Sequence, residues 1–322
     1  MLFTELPVAI VRVYAIALGL FGGSFLNVVI HRVPRGMNIA RPPSHCPACG
    51  TRLRFYDNVP ILSYVALGGK ARCCKATISP RYPLVELAGG LVAWAIVEVL
   101  IFPLPDEISI ARAAAIFFSY LVFALALIAV AFIDLEYMYV PDAISMGGTL
   151  VGIGTFSLRP DLDLASVLVG AAIGFVVVWL PFSVIYPWIR GRTGMGLGDA
   201  KLVMMAGAWF GWSGAVFALL AGAVQGTLAA LVVPLAHGRI DEPAAVQKER
   251  EETAQALARL TPEERAAAEA ELARDPLYEA AQPGNLGLAR IAFGPFLALA
   301  MLEYLFVGPA IMEYVRWLGL SG

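Results

Sequence analysis

This 322-residue chain has few charged residues, since only 15% of its residues are Asp, Glu, Lys or Arg. A soluble domain carries about 25%. Hydrophobic residues make up 59% of the chain and the mean hydropathy is +0.74. This composition excludes an ordinary soluble domain, and apolar runs of about twenty residues indicate membrane spans. The net charge of -2 says little about partners, and no nucleic-acid ligand is expected.

Cysteine is absent outside one short segment, because all four cysteines lie within residues 46–74. A cluster that tight indicates a local metal site or a local disulfide. The chain also lacks the marks of a cleavable signal. Glu5 stands where a basic region would be, and no A-x-A-like site follows the first apolar stretch. We therefore expect that stretch to be a permanent span, and the sequence shows no internal repeat.

The predicted fold class is an all-α polytopic membrane protein with about eight transmembrane helices and a small cytoplasmic Cys-rich module. The sixth and seventh spans form one apolar run that is too long for a single crossing, and residues 211–214 provide a turn within it. The expected spans are 7–30, 84–104, 112–133, 143–158, 165–189, 201–211, 213–236 and 290–318.

Loop charges predict the orientation of these spans. Residues 31–81 hold nine Lys or Arg against one acid, Asp57, so this segment should be cytoplasmic and both termini should lie outside. The loop at 190–201 then returns to the inside. The predicted organisation is a first transmembrane helix (1–30), the Cys-rich module (31–82), a transmembrane core (83–237), an acidic helical cytoplasmic insert (238–287) and a last transmembrane helix (288–322).

The insert at 238–287 holds eleven acidic and six basic residues. Thr261 followed by Pro262, Glu263 and Glu264 predicts a helix start, with an N-cap, a proline at the first helical position and acids in the first turn. We expect a helix to about residue 274. The insert should be a solvated excursion or a docking element for a partner.

Two carboxylates stand at the ends of apolar spans. Asp134 closes one span and Asp199 opens another, and two crossings between them return the chain to the same side of the membrane. Carboxylates near hydrocarbon are costly and usually mark function. If the two approach closely, one keeps its proton while the other activates a water, which is the chemistry of an aspartyl protease. The alternative is that both are helix N-caps at a wet interface.

Gly196 and Gly198 lie just before Asp199. Glycine permits a bend or a close approach of another chain, so these two positions are candidates for contact with an extended substrate.

The segment 194–202 (GMGLGDAKL) contains a GxGD motif and resembles the bacterial type IV prepilin peptidases, a group of membrane aspartyl proteases. Four further segments agree in order along the chain from about residue 20 to residue 300. They are 23–32 (GSFLNVVIHR), 79–87 (SPRYPLVEL), 133–142 (IDLEYMYVPD) and 293–298 (FGPFLA).

The resemblance implies several properties that spacing alone does not. Asp134 and Asp199 match the catalytic pair of the family. The expected substrates are type IV prepilins or type II secretion pseudopilins, cut after a glycine that ends a short basic leader on the cytoplasmic side of the bacterial inner membrane. N-methylation of the new terminus with S-adenosylmethionine is expected to follow, although no motif marks a methyl-donor site.

The cysteines predict a structural zinc. Cys46 and Cys49 form a knuckle-like CxxC, zinc takes about four ligands, and cytoplasmic thiols stay reduced. The resemblance implies a second CxxC, but here Ala71 stands where its first cysteine should be, and Cys73 and Cys74 are adjacent. We expect the ligands to be those four cysteines. His45 as the fourth ligand, or four unligated thiols, are the alternatives.

Two other functions fit some of these features. A presenilin-like protease that cuts within spans would use the same carboxylates, but the basic juxtamembrane residues and the cysteine module argue against it. A proton-coupled transporter would also use intramembrane acids, but it would favour inverted repeats, and none is found.

Overall fold

The protein is described here from a computed structural model, which covers residues 2–190, 195–237, 244–261, 263–265, 268–269 and 292–317. These residues form helices, turns, loops and isolated β-bridges, and no β-strand occurs among them. The predicted all-α class is confirmed.

Ten α-helices are described. Two of them continue as π-helical turns, α3 over Val97–Ile101 and α6 over Leu180–Ile185, where Pro181 removes a backbone donor. The ten are α1 (Val8–Arg32), α2 (Leu62–Ala66), α3 (Arg81–Ile96), α4 (Ile110–Tyr137), α5 (Asp142–Gly154), α6 (Leu164–Trp179), α7 (Tyr186–Arg190), α8 (Leu197–His237), α9 (Ala244–Ala258) and α10 (Gly294–Trp317).

Within the part of the chain that the structure describes, five helical segments are long and apolar enough to cross a membrane, and a shorter apolar helix covers Gly294–Gly308. The five are Val8–Arg35, Arg81–Ile101, Ile110–Tyr137, Leu164–Ile189 and Leu197–Val233. Each of the eight expected spans falls on an apolar helix, but α5 has only 13 residues. At 1.5 Å per residue it reaches only about 20 Å. Eight crossings are therefore not confirmed and stay a prediction.

Helices α1 and α3 run antiparallel in close contact. A Cβ at Gly19 would meet the backbone of Gly89, and one at Gly23 would lie 2.6 Å from the Cα of Glu86. Asn27 then donates to the carbonyl of Tyr82 at 3.2 Å. Small residues let helix backbones approach this closely inside a membrane, so this glycine stripe sets the contact.

Helix α8 is two helices joined at a break. Gly211 has φ 71° and ψ -172°, a conformation that is essentially restricted to glycine. The break falls in the turn expected at 211–214. Arg159 closes it, donating to the carbonyls of Ala208 at 3.1 Å and Trp209 at 2.7 Å and also to that of Gly152. A buried arginine thus satisfies carbonyls that the interrupted helix leaves free.

The main apolar core lies among α4, α8 and α10. Phe123 of α4 stacks on Trp209 of α8 with ring centroids 4.2 Å apart, and Leu297 and Met301 of α10 complete the centre. This packing brings the last turn of α4, the first turn of α8 and the first turn of α10 to one end of the bundle.

The described part of the insert is helical and contacts the core. α9 packs against α4, and Thr253 and Leu257 form its half-buried face. Thr261 and Glu264 make the reciprocal capping bonds expected of a helix start, at 3.4 and 3.0 Å. Because α9 touches α4, it is not a fully solvated excursion. The continuation of the expected helix to residue 274 lies largely outside the described residues.

Candidate active site

Asp134 lies on the last turn of α4 and is only 6% exposed. Its helix ends three residues later, where Met138 adopts a left-handed conformation (φ 48°) and its N–H bonds the Asp134 carbonyl at 2.9 Å. The Asp134 carboxylate accepts a hydrogen bond from the backbone N–H of Gly294 at 2.9 Å. A helix from the far end of the chain thus orients this carboxylate through a main-chain donor.

Asp199 lies on the first turn of α8 and is half-buried. Its N–H bonds the carbonyl of Gly196 at 3.1 Å, which folds the chain back before the helix starts. Gly198, the residue before Asp199, lies against Val140, six residues after Asp134. The two carboxyls expected to meet are therefore brought together at one end of the bundle.

The segment between α4 and α5 packs against the start of α8. Val140 is buried against Gly198, where a Cβ would lie 2.9 Å from the valine side chain. Two residues later Asp142 pairs with Lys201 of α8 at 2.6 Å. These contacts hold the segment after Asp134 beside the segment that carries Asp199.

The two candidate substrate glycines have different surroundings. Neither belongs to the glycines with positive φ among the described residues, so neither is required by backbone conformation. Gly198 is needed for its close approach to Val140, whereas Gly196 is exposed and its absent Cβ would lie 3.4 Å from the Asp199 carboxylate. A contact of Gly196 with substrate remains a prediction.

Basic and aromatic side chains surround the same end of the bundle. Arg81, at the start of α3, pairs with Glu136, and the Arg35 guanidinium lies 5.3 Å from the centre of the Tyr137 ring. Glu136 therefore has an ionic partner. Arg32 is buried and donates to the carbonyls of residues 38, 39 and 42, so it organises the start of the Cys-rich module.

The four cysteine sulfurs converge. All lie within 4.8 Å of one another, with Cys46 and Cys74 3.7 Å apart and Cys49 and Cys73 3.3 Å apart. His45 is not part of this group, and its Nδ1 lies 3.2 Å from the carbonyl of Pro43. The four-cysteine set is therefore the one that the structure brings together.

Two matching turns present these thiols. Cys46 N–H bonds the Thr51 carbonyl and Ala71 N–H bonds the Ala76 carbonyl, at 2.9 and 2.8 Å. Ala71 thus occupies the place of a ligand in the second turn but is buried. Cys73, next to Cys74 in the chain, supplies the fourth thiol of the cluster. Hydrogen bonding to Thr51 lowers the pKa of Cys49 to about 6, while the contact with Cys49 raises the pKa of Cys73 to about 12.

Two residues at important positions carry no predicted role. Gly294 stands before Pro295, a pattern typical of a helix start, but nothing local indicates that its N–H meets a carboxylate 160 residues away. In the sequence, Arg159 looks like an ordinary basic residue of a loop. Its role cannot be predicted locally, because the carbonyls that it donates to belong to residues distant in the chain. Both assignments require the tertiary structure.

Fold and site together define a helical membrane protein with paired carboxyls at one end of its bundle and a four-thiol module at the same end. Residues 17–100 match the model of the bacterial peptidase A24 N-terminal domain, and residues 121–231 match the type IV leader peptidase family. The second match contains both Asp134 and Asp199.

Curated relatives agree over most of the chain. A prepilin leader peptidase/N-methyltransferase of Burkholderia pseudomallei is 34% identical over 272 residues, covering 75% of this chain and 82% of the relative. A protein of the same name from Myxococcus xanthus is 38% identical over 248 residues (72% and 68%), and one from Pseudomonas aeruginosa is 34% identical over 247 residues (68% and 79%). No solved structure matches the chain. The chain belongs to the type IV leader peptidase family and is a multi-pass membrane protease.

Proposed function

We propose that this protein removes the leader of type IV prepilins or pseudopilins and then N-methylates the new terminus, with Asp134 and Asp199 as the catalytic pair. The observation that carries the proposal is the placement of both carboxyls at one end of the bundle, with Asp134 held by the N–H of Gly294 and Asp199 on the first turn of α8, next to the contact of Gly198 with Val140. The names of the relatives support the substrate and the methyl transfer.

The proposed mechanism divides two roles between the carboxyls. A main-chain N–H that donates to a carboxylate favours its charged form, so Asp134 carries the charge and takes a proton from the attacking water. Asp199 keeps a proton and donates it to the oxygen of the scissile carbonyl. Gly196, exposed beside the Asp199 carboxyl, leaves room for the leader to lie extended across the pair.

Zinc fits the thiol cluster. In a tetrahedral site with Zn–S distances of about 2.3 Å, sulfurs are roughly 3.8 Å apart, close to the 3.7 and 3.3 Å seen here. Cys46, Cys49, Cys73 and Cys74 would hold the ion, which would cross-link the two turns without entering the peptidase reaction. S-adenosylmethionine would supply the methyl group, and no residue is assigned to its binding.

The active site is proposed to face the cytoplasm of a bacterium with the protein in the inner membrane. The module at 31–82 connects the end of α1 to the start of α3, and Arg81 of α3 pairs with Glu136, two residues after Asp134. The strong basic excess of this module is typical of a cytoplasmic segment.

Co-expression with a prepilin, followed by mass spectrometry of the pilin N-terminus, tests cleavage and methylation together. Wild-type protein should yield a cleaved and methylated product. Asp134→Asn and Asp199→Asn should insert normally and leave the precursor intact, because each removes one member of the pair. Asp142→Asn should have a milder effect, because Asp142 opens α5, is exposed and contributes to this end of the bundle only through its pair with Lys201. Near-normal processing by either active-site variant would refute the assignment.

A further inference from the structure

Three large apolar side chains project from the Cys-rich module into the surroundings. Phe55 is 87% exposed, Leu62 68% and Val65 69%. Phe55 opens the 3-10 turn Phe55–Asn58, while Leu62 and Val65 lie three residues apart on α2 and so share one face. We call these three residues the module patch. Exposed apolar groups that cluster usually mark an interaction surface.

One hydrogen bond fixes where the module patch lies relative to the membrane helices. The N–H of Ile61 donates to the Glu86 carboxylate of α3 at 2.7 Å. Glu86 is five residues into a 21-residue candidate span. At 1.5 Å per residue, that position is about 7.5 Å along the axis from its cytoplasmic-side end. Leu62, the next residue after Ile61, therefore begins α2 at the level of the membrane edge.

The backbone at this junction is held in an unfavourable conformation. Ile61 has φ 59°, which is disfavoured for a β-branched residue. Such a conformation persists only where the surrounding structure enforces it, and here the carboxylate of Glu86 receives its N–H. Ser63 in turn donates to the carbonyl of Tyr56 at 2.8 Å, so α2 and the 3-10 turn that carries Phe55 are joined and share the same placement.

Two arginines lie next to the module patch, and one of them already has an acidic partner. Asp57 is the only acid among residues 31–81 and is already paired with Arg72 at 2.6 Å. Arg54 and Arg72 both lie against the Tyr56 ring, 5.8 and 5.4 Å from its centre. Apolar and aromatic side chains flanked by arginines are typical of protein segments that lie in the interface of a membrane with anionic lipids.

We propose that the module patch is embedded in the cytoplasmic leaflet of the bilayer, with Phe55, Leu62 and Val65 among the upper acyl chains and the neighbouring arginines at anionic headgroups. The module is then a membrane-surface element, held at its depth by the bond between Ile61 and Glu86. Leu84 and Leu87, exposed on α3 at the same level, continue the apolar surface into the span. This inference is independent of the peptidase reaction.

Site-specific photocrosslinking on the full-length protein tests the proposal. The photoreactive residue p-benzoylphenylalanine is placed in turn at Phe55, Leu62 and Val65, and the protein is reconstituted in vesicles of phosphatidylglycerol and phosphatidylethanolamine. The side chains replaced are exposed, so the fold should tolerate each change. Ala48, exposed on the first cysteine turn, is the control for random collision with lipid. Intact-mass spectrometry after irradiation measures the lipid adduct.

We expect a lipid adduct at the three patch positions in several-fold greater yield than at Ala48, falling when phosphatidylcholine replaces the anionic lipid. Equal yields at patch and control positions would overturn the proposal, as would adducts to a second copy of the chain. With a prepilin also present in the vesicles, adducts to prepilin in place of lipid would overturn it as well. A yield unaffected by removal of anionic lipid would refute the headgroup part.

Discussion

The bond between Gly294 and Asp134 leads to a specific prediction for Gly294→Ala. A Cβ at this position would lie 2.7 Å from the nearer carboxylate oxygen and 3.1 Å from the carboxyl carbon, whereas ordinary contact begins at 3.4 Å. The carboxylate must therefore shift by about 0.7 Å to restore ordinary contact. Asp134 is short and buried, so this displacement cannot be absorbed by a flexible chain end.

We expect Gly294→Ala to lower the rate of the catalytic step. A 1 Å misplacement of a reacting group costs on the order of 100-fold, so Gly294→Ala should lower kcat by roughly 30- to 100-fold. This corresponds to about 2–3 kcal/mol of transition-state stabilisation. The same change raises intrinsic helix propensity by about 1 kcal/mol at a helical position, so loss of the α10 helix is not expected to explain the defect.

Initial rates of prepilin cleavage by purified, reconstituted protein measure this effect. Gly147→Ala is the matched control, because nothing lies within 4 Å of its missing Cβ on α5. The control should cleave at the wild-type rate with similar thermal stability. A wild-type rate for Gly294→Ala would contradict the reasoning, since it would mean that the carboxylate position near Gly294 does not matter for chemistry.

Other regions give further expectations. Purified protein should contain close to one zinc per chain by elemental analysis, and Cys73→Ser should lower that content and loosen the module; folded, active protein without zinc would reject the site. Replacing 242–282 by a Gly/Ser linker should leave most cleavage activity at normal membrane levels, and a large loss would show that α9 shapes the site through α4. Arg159→Gln should destabilise the protein by about 2–4 kcal/mol in thermal unfolding, because it leaves helix-end carbonyls without a donor, whereas unchanged stability would exclude this capping role. Gly211→Ala should cost about 1–3 kcal/mol through backbone strain, and an unchanged melting temperature would contradict the left-handed geometry at the break.

Much of this protein could be predicted from local sequence. Apolar run length indicates the helices because a bilayer admits backbone only when its hydrogen bonds are satisfied within the segment. The predictions of a break near Gly211 and of a helix cap at Thr261 are confirmed. Each of these features depends only on residues within a few positions in the sequence. The cysteine cluster is also accessible from spacing, whereas the departure at Ala71 is visible only against the pattern that the family resemblance implies.

Tertiary structure decided the contacts that join distant segments. The Gly294 N–H on Asp134, the Arg159 guanidinium on the carbonyls at the α8 break and the Glu86 carboxylate on Ile61 each connect helices separated by many residues. Their acceptors are backbone or common side-chain groups that carry no local signature. The sequence alone therefore determined which elements form and which side chains could react. Packing determined how each reactive group is held, because a hydrogen bond depends on where two helices meet and not on the pattern within either one.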